Sequence, residues 1–330
     1  MAPRSLRNAI ARLLIVSGAM RAQDRKRPSG AMVLTFHRFT AERAGEAATG
    51  FPIAECEAQL RWLKDHREVV SLAELAARIT AGSSHADLAD VVALTVDDGF
   101  ADTNDLFFPL CAELGIPFTF FVVTDFIDHG RLPWPSELGQ LVRYATVKDI
   151  TWPFSLNLGE SRLARSVAYG RLKGWLGSAD PKQRRTLLTD LSSILKAASF
   201  VSSKAVTWDQ LRLMSRYGME IGSHTVYHSQ MPFLDAGLKA TELAESKRRI
   251  EDEVGRPCRF FAYPNGSWDK ASAAAVSQAG YEGAVTQDWG VNHRRESRFT
   301  MKRIEIPWYE SLATFRCRIA ACFRPRRGRV

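Results

Sequence analysis

The sequence predicts an α/β fold built on a parallel sheet or barrel, and three observations carry that prediction. Strand-patterned and helix-patterned segments alternate over residues 31–123, as they do where helical crossovers join parallel strands. The apolar run Val91-Val92-Ala93-Leu94 leads straight into Thr95-Val96-Asp97-Asp98-Gly99. Two carboxylates therefore stand at the carboxyl end of a strand, where parallel α/β folds place their chemistry. The chain has 330 residues, enough for one large barrel-like domain or two small ones.

Taken in order, residues 31–36 read as a strand ending at His37-Arg38, and residues 54–66 have helical spacing. Val69-Val70 is a short strand. Ser71 caps the next helix, with Glu74 completing a capping box. That helix runs to about Thr80 and ends at Gly82. A polar loop leads to the strand at 91–96. A helix at 103–114 stops at Gly115, and residues 118–123 form a strand. The rhythm then breaks. Residues 125–206 hold a Trp/Pro-rich stretch and two helical segments, near 160–176 and 181–198. A long insertion between barrel elements reads as a lid or binding loop. The pattern resumes with a helix at 208–216, a strand at 220–222 and a helix at 236–254. A strand at 260–263, the turn Pro264-Asn265-Gly266, a helix at 269–279 and strands at 284–286 and 303–306 follow.

The formal net charge is +9, but it is concentrated at the ends. Residues 1–28 carry seven Arg/Lys against Asp24, and residues 316–330 carry six Arg and no acid, so residues 29–315 are slightly acidic. This divides the chain into a basic N-terminal segment (1–28), a barrel (29–315) and a basic C-terminal tail (316–330). A nucleic-acid binder more often spreads base over a folded face, so no specific nucleic acid is expected. The tails, with apolar residues interleaved, suit an anionic membrane surface or simply solvent. Residues 4–20 read as an amphipathic helix, because Arg12 cuts the apolar run that a secretory signal needs. A cytoplasmic or membrane-peripheral location is expected, with secretion left open. No apolar run reaches the length of a membrane span. The five cysteines are scattered and none forms C-x-x-C, so neither a disulfide framework nor a thiolate zinc site is expected.

Asp97-Asp98-Gly99 alone is equally a turn or a paired-carboxylate site, provided Gly99 lets the backbone turn both side chains inward. A cation beside them would relieve their repulsion. His224 and His228 lie four apart, straight after a strand. On a helical turn that spacing aims both imidazoles at one ion. Two imidazoles and the Asp98 carboxylate suit zinc or another divalent transition metal, and three protein ligands leave a position open for reaction. The Pro264-Asn265-Gly266 turn after Phe261-Ala262-Tyr263 offers backbone N–H groups to an anion or oxyanion.

Thr95-Val96-Asp97-Asp98-Gly99, Ser223-His224-Thr225-Val226-Tyr227-His228 and Phe261-Ala262-Tyr263-Pro264-Asn265-Gly266, in that order, resemble the three motifs of the polysaccharide deacetylase (NodB-homology) family. The resemblance covers about residues 31–306. It implies a distorted (β/α) barrel, here with a helical insertion, and a metal-dependent hydrolase that removes acetyl groups from N-acetylated sugars. Carried over by position, Asp98, His224 and His228 bind the metal and Asp97 is the general base. Tyr263, Pro264, Asn265 and Gly266 fall at the substrate and oxyanion side. Many members use a histidine in a late L-x-H motif as the acid, but residues 301–306 contain none. An exopolysaccharide-type branch instead ends an early strand in Y-H-x-hydrophobic. Phe36-His37-Arg38-Phe39 stands at that place, so His37 is the expected acid. Many members also pair the base with an arginine at the position of Ala262; here Arg303 or Arg38 must orient Asp97.

The sequence therefore points to a carbohydrate N-deacetylase, a hydrolase of carbon–nitrogen bonds, acting on an amino-sugar exopolysaccharide, a chitooligosaccharide or a lipid-linked sugar with zinc as cofactor. Two other readings stand beside it: a weak or inactive sugar-binding relic of the same barrel, and a membrane-associated protein acting through its basic tails.

Overall fold

Short runs of Val, Leu, Phe and Thr form the strands, and several helices begin at capping side chains, among them Asp180, Thr207, Asp235 and Asp269. The computed structural model describes residues 30–42, 50–81, 88–159, 161–197 and 203–321. The expected N-terminal segment 1–28 lies outside them. β1 (Met32–Phe36) is followed by α1 (Ile53–His66), β2 (Glu68–Val69) and α2 (Leu72–Ala81). At the start of α2 the Glu74 N–H donates to Ser71 Oγ at 3.1 Å. β3 (Val91–Val96) leads to a helix that opens as a π turn over Thr103–Phe107 and continues as α3 (Phe108–Leu114). Gly115 ends it in the left-handed region. β4 is Thr119–Val122.

The insertion contributes α4 (Thr124–His129), α5 (Trp134–Tyr144), a small antiparallel pair at 149–150 and 156–157, α6 (Arg162–Gly177) and α7 (Pro181–Leu195). α8 (Trp208–Arg216), β5 (Glu220–Ser223), α9 (Ala236–Val254), β6 (Phe260–Ala262), α10 (Lys270–Gln278), β7 (Gly283–Trp289), β8 (Met301–Glu305) and α11 (Leu312–Ala321) complete the chain. Thr207 and Gln210 form a full capping box on α8.

Seven parallel strands close into a barrel in the order β1-β8-β7-β6-β5-β4-β3, and β3 returns to β1 over five residue pairs from Met32–Val92 to Phe36–Val96. β2 pairs with the start of β3 outside the ring. This is the distorted barrel expected. Successive strand residues face opposite sides, and two apolar clusters follow. Met32, Leu34 and Phe36 face outward into the layer shared with α1 and α3. Val33, Ala93, Phe121, Ala262 and Val285 face inward, with Leu72, Leu75 and Ile79 of α2 packed against them.

The insertion has an apolar cluster of its own, including Leu138, Leu141, Leu172, Leu176 and Leu188. Each such leucine, fully buried, contributes about 1.5–3 kcal/mol, so this segment is a packed helical unit rather than an irregular loop. Arg165 ties its layers by donating to the carbonyls of Val142, Arg143 and Ala145 at the C-terminal end of α5.

The tail boundary expected at 316 falls inside a packed helix. In α11, Phe315 and Ile319 are buried, and the Phe315 ring meets Trp62 of α1 edge-on at 6.0 Å. The basic stretch beyond 321 lies outside the described residues. Among those residues no helix is long and apolar enough to cross a membrane.

Candidate metal-binding active site

The carboxyl ends of β1, β3, β5 and β8 converge on one cleft of about 330 Å³. At the exit of β3, Asp98 and Gly99 both adopt left-handed backbone, with φ of 83° and 95°. Adjacent strand residues ordinarily point apart. Here the turn at Asp98 itself, and not Gly99 alone, brings Asp97 and Asp98 into the same cleft.

Asp97 is buried and held by Arg303 of β8. Arg303 Nη1 donates to Oδ1 and Nη2 to Oδ2, each at 2.7 Å. The same guanidinium donates to the Thr286 carbonyl at 2.7 Å and to the hydroxyls of Thr35 and Thr95 at 3.0 and 3.2 Å. The planar fork thus has fixed partners on β1, β3 and β7. Burial works to raise the Asp97 carboxyl. The charges of Arg303 and His224 and the Arg303 hydrogen bonds outweigh it and hold the group below its usual range. Arg303 is therefore the group that orients Asp97. Arg38 does not. Its Nε donates to Asp102 at 2.6 Å and its guanidinium lies 4.0 Å from the Phe100 ring, so it is committed elsewhere.

His37 lines the cleft, 34% exposed, with Nε2 3.9 Å from Asp97 Oδ2. Asp102 fixes the backbone beyond it, since its carboxylate accepts both from Arg38 and from the Phe39 N–H at 3.0 Å.

His224 and His228 are brought together, but not on a helical turn. β5 ends at Ser223, and the chain loops through Thr225 and His228 with φ of 68° and 55°. The loop keeps this conformation because it is tied on several sides. Glu242 of α9, buried, accepts from the Val226 and Tyr227 N–H groups at 2.7 and 3.2 Å and from Ser229 Oγ at 2.5 Å. Trp134 of the insertion donates its indole N–H to the His228 carbonyl at 2.9 Å. The first turn of α4 donates to the carbonyls of Thr225 and Val226. None of these supports was expected from sequence.

The His224 Nδ1–H donates to the Ala262 carbonyl at 2.8 Å, which leaves the Nε2 lone pair facing Asp98. Asp98 Oδ1 lies 3.7 Å from His224 Nε2 and 3.5 Å from His228 Nε2. The three ligand atoms are within 4.8 Å of one another. Ligand atoms that share an ion through bonds of about 2 Å stand roughly 3–4 Å apart; both Asp98 separations fall in that range, and one carboxylate with two imidazoles is a donor set that suits a divalent metal. Its electrostatics agree. Burial, chiefly, pushes His224 down to about 4, so it is a neutral donor at neutral pH. For Asp98 burial acts to raise the carboxyl, but the hydrogen bond and charge of His228, with the charges of His37 and His224, hold it well below the carboxylate range. The backbone hydrogen bond on His224 also fixes its tautomer, as in metal-ligating histidines generally.

Of the four residues expected on the substrate and oxyanion side, only Asn265 lines the cleft. Tyr263 is buried, and its hydroxyl donates to the Phe299 carbonyl at 3.0 Å. Pro264 is buried, and the Gly266 N–H donates back to the Tyr263 carbonyl at 2.8 Å, so it is spent inside the turn. Gly266 is required sterically: φ is 66°, and a Cβ there would meet Gln287 Cβ at 2.3 Å. The Asn265 side-chain N–H is buried without a partner among the described residues. Lys173, Gln287 and Glu305 also line the cleft, and sequence reasoning missed all three. Only Glu305 left a signal, two residues beyond Arg303 on the same strand face.

Residues 191–284 match a family model described as polysaccharide deacetylase. That stretch resembles the polysaccharide deacetylase family. The matched stretch contains His224, His228 and Asn265, while Asp97, Asp98 and Arg303 lie outside it. A protein of Bacillus subtilis (strain 168) that bears the name polysaccharide deacetylase YxkH is 25% identical over 118 residues, which cover 34% of this chain and 42% of that relative. Among solved structures, the chain is similar in fold to the Streptococcus pyogenes deacetylase PplD in complex with acetate, with a TM-score of 0.60 and 16% identity over 90% of this chain and 100% of that one. It is similar also to IcaB from Ammonifex degensii, with a TM-score of 0.57 and 19% identity over 88% and 96% of the two chains. A de-N-acetylase from Aggregatibacter actinomycetemcomitans gives a TM-score of 0.55 at 19% identity, over 87% and 99%.

Proposed function

We propose that this chain is a metal-dependent N-deacetylase of an amino-sugar polymer or oligosaccharide, with zinc as the ion. One arrangement carries the reading: a carboxylate and two imidazole nitrogens facing one point, beside a second carboxylate that Arg303 holds ionised. An ion held by Asp98, His224 and His228 supplies Lewis acidity and lowers the pKa of bound water from about 15.7 toward 7.

The chain's own groups do the rest. Asp97, anionic and fixed in orientation, accepts the proton of the attacking water. The buried Asn265 side-chain N–H donates toward the negative charge that develops on the acetamide oxygen. His37, across from Asp97 at 3.9 Å, gives a proton to the leaving sugar amine. Acetate and the free amine are the products, so atoms and charge balance with one water consumed.

The reading as an inactive relic drew on the missing arginine at 262 and the missing late histidine. Arg303 supplies the first pairing from another strand, and His37 stands in the cleft where a proton donor is needed, so the catalytic reading is favoured. The test is acetate release from N-acetylglucosamine oligomers by zinc-loaded wild type and Asp97→Asn. The variant should keep its zinc and lose turnover by about 10²–10⁴-fold. An Asp97→Asn protein with wild-type turnover would remove Asp97 from the role of base.

A further inference from the structure

The deacetylase reading leaves two charged side chains in the cleft without a task, Glu305 and Lys173, and Lys173 is the cation. Lys173 comes from α6 of the insertion, and among the described residues it is the only lysine or arginine that lines the cleft. Leu172 and Leu176 bury the adjacent face of α6 in the insertion's core. One turn earlier, the Tyr169 hydroxyl donates to the Pro135 carbonyl at 3.4 Å, at the wall of the same cleft. The helix is thereby oriented so that the Lys173 ammonium stands 6.0 Å from the Tyr169 ring and faces the cleft.

Lys173 is half-buried. Among the described residues no carboxylate lies within 4.0 Å of its Nζ and nothing accepts a hydrogen bond from it. Burial pulls the ammonium below the ordinary lysine range, against the pull of the Asp98 and Glu305 charges. A partly desolvated, unpaired cation is costly, and the cost grows when a ligand displaces the remaining water. A neutral sugar ring leaves that cost standing; an anionic oxygen offsets it. The other charges in the cleft do not do so. Asp97 is neutralised by Arg303, Asp98 belongs to the metal-ligand set, and Glu305 is exposed at the end of β8.

We propose that Lys173 binds an anionic substituent of the glycan, a carboxylate or phosphate near the N-acetylated sugar, so that the substrate class is an acidic amino-sugar polymer. The inference rests on the deacetylase reading for the reaction, but not for the binding. The insertion then has a role in selection: it contributes to the cleft the charge that distinguishes acidic from neutral glycans.

The experiment compares three N-acetylated oligosaccharides of equal length: neutral, uronate-bearing and phosphate-bearing. The zinc-loaded full chain is measured for equilibrium binding and for acetate release, as wild type, Lys173→Met and Glu305→Gln. Wild type should prefer one acidic series, and which one identifies the anion. Lys173→Met should lower the acidic-to-neutral ratio of kcat/KM at least tenfold, through KM. Glu305→Gln, which removes the opposing charge, should raise that ratio a few-fold, and it guards against a Lys173→Met protein that fails to fold. A wild type that binds neutral and acidic oligomers equally, or a ratio unmoved by both substitutions, would overturn the proposal while acetate release still upheld the deacetylase reading. Acidic preference lost in Lys173→Met, with no acetate released from any oligomer, would uphold the binding role and sink that reading instead.

Discussion

Arg303 and Asp97 meet through two parallel hydrogen bonds of 2.7 Å in the interior of the barrel, and both side chains are almost wholly buried. The pairing joins the last barrel strand to the first carboxylate of the Asp97-Asp98 turn. Arg303→Met should leave a buried carboxylate without its cation and cost about 3–5 kcal/mol of stability at pH 7. The sign with pH is fixed by the direction of the shift. In the wild type Asp97 is held below its unfolded value, so its contribution is present above that value and is lost as pH falls through the folded one. In the variant the carboxyl rises instead, so its deficit relative to wild type shrinks as pH falls. Denaturant unfolding at pH 7 and pH 4 measures this, and an equal deficit at both would contradict it.

The loop that carries His224 and His228 is held from outside the motif. Glu242→Ala strips acceptors from the Val226 and Tyr227 N–H groups and from Ser229 Oγ. Two non-glycine residues in left-handed backbone, Thr225 and His228, then lose their restraint. Zinc affinity, read by competition with a chromogenic chelator, should weaken by about 10–100-fold. Glu242→Gln keeps an acceptor for the two amides and should fall less. Equal affinity in Glu242→Ala and wild type would remove the residue from this role.

Trp134 carries the same logic from the insertion. Trp134→Phe keeps the apolar contact but deletes the indole donor to the His228 carbonyl. One hydrogen bond of about 0.5–1.5 kcal/mol is lost, so zinc should bind a few-fold more weakly. Unchanged zinc affinity would mean that Trp134 only packs.

His37→Gln tests the acid. The variant should bind zinc as the wild type does, and its kcat should fall by about 10²–10⁴-fold. The loss should be smaller for an N-acetyl substrate whose leaving amine is less basic and needs less proton donation. A uniform loss across leaving groups would assign His37 a packing role.

Much of this was legible from sequence because barrel strands are short apolar runs with their chemistry at the exits. Val91–Val96 marks its strand, and Asp97 and Asp98 mark its end. The histidine pair was found by spacing, although the loop achieves through two left-handed residues what a helical turn was expected to do. Arg303 was legible as one of two candidates for a need, because Ala262 holds no cation. Arg38 met the same need by proximity to His37, yet Asp102 takes its guanidinium. Tyr263 and Gly266 were misplaced because a motif does not tell which groups of a turn are spent inside it. Glu242 and Lys173 left no signal at all. Each sits on a helix where a charged residue reads as a solvated face, and only tertiary packing turns Glu242 under the loop of His224 and His228 and Lys173 into the cleft.

The central claim is that Asp98, His224 and His228 hold a catalytic ion in a deacetylase. The most direct measurement pairs elemental analysis with acetate release from N-acetylglucosamine oligomers, on wild type and His228→Ala. The account predicts about one zinc per wild-type chain, and loss of both metal and acetate release in the variant. A wild type that takes up no metal even when zinc is supplied, or a His228→Ala protein that still releases acetate at the wild-type rate, would contradict it.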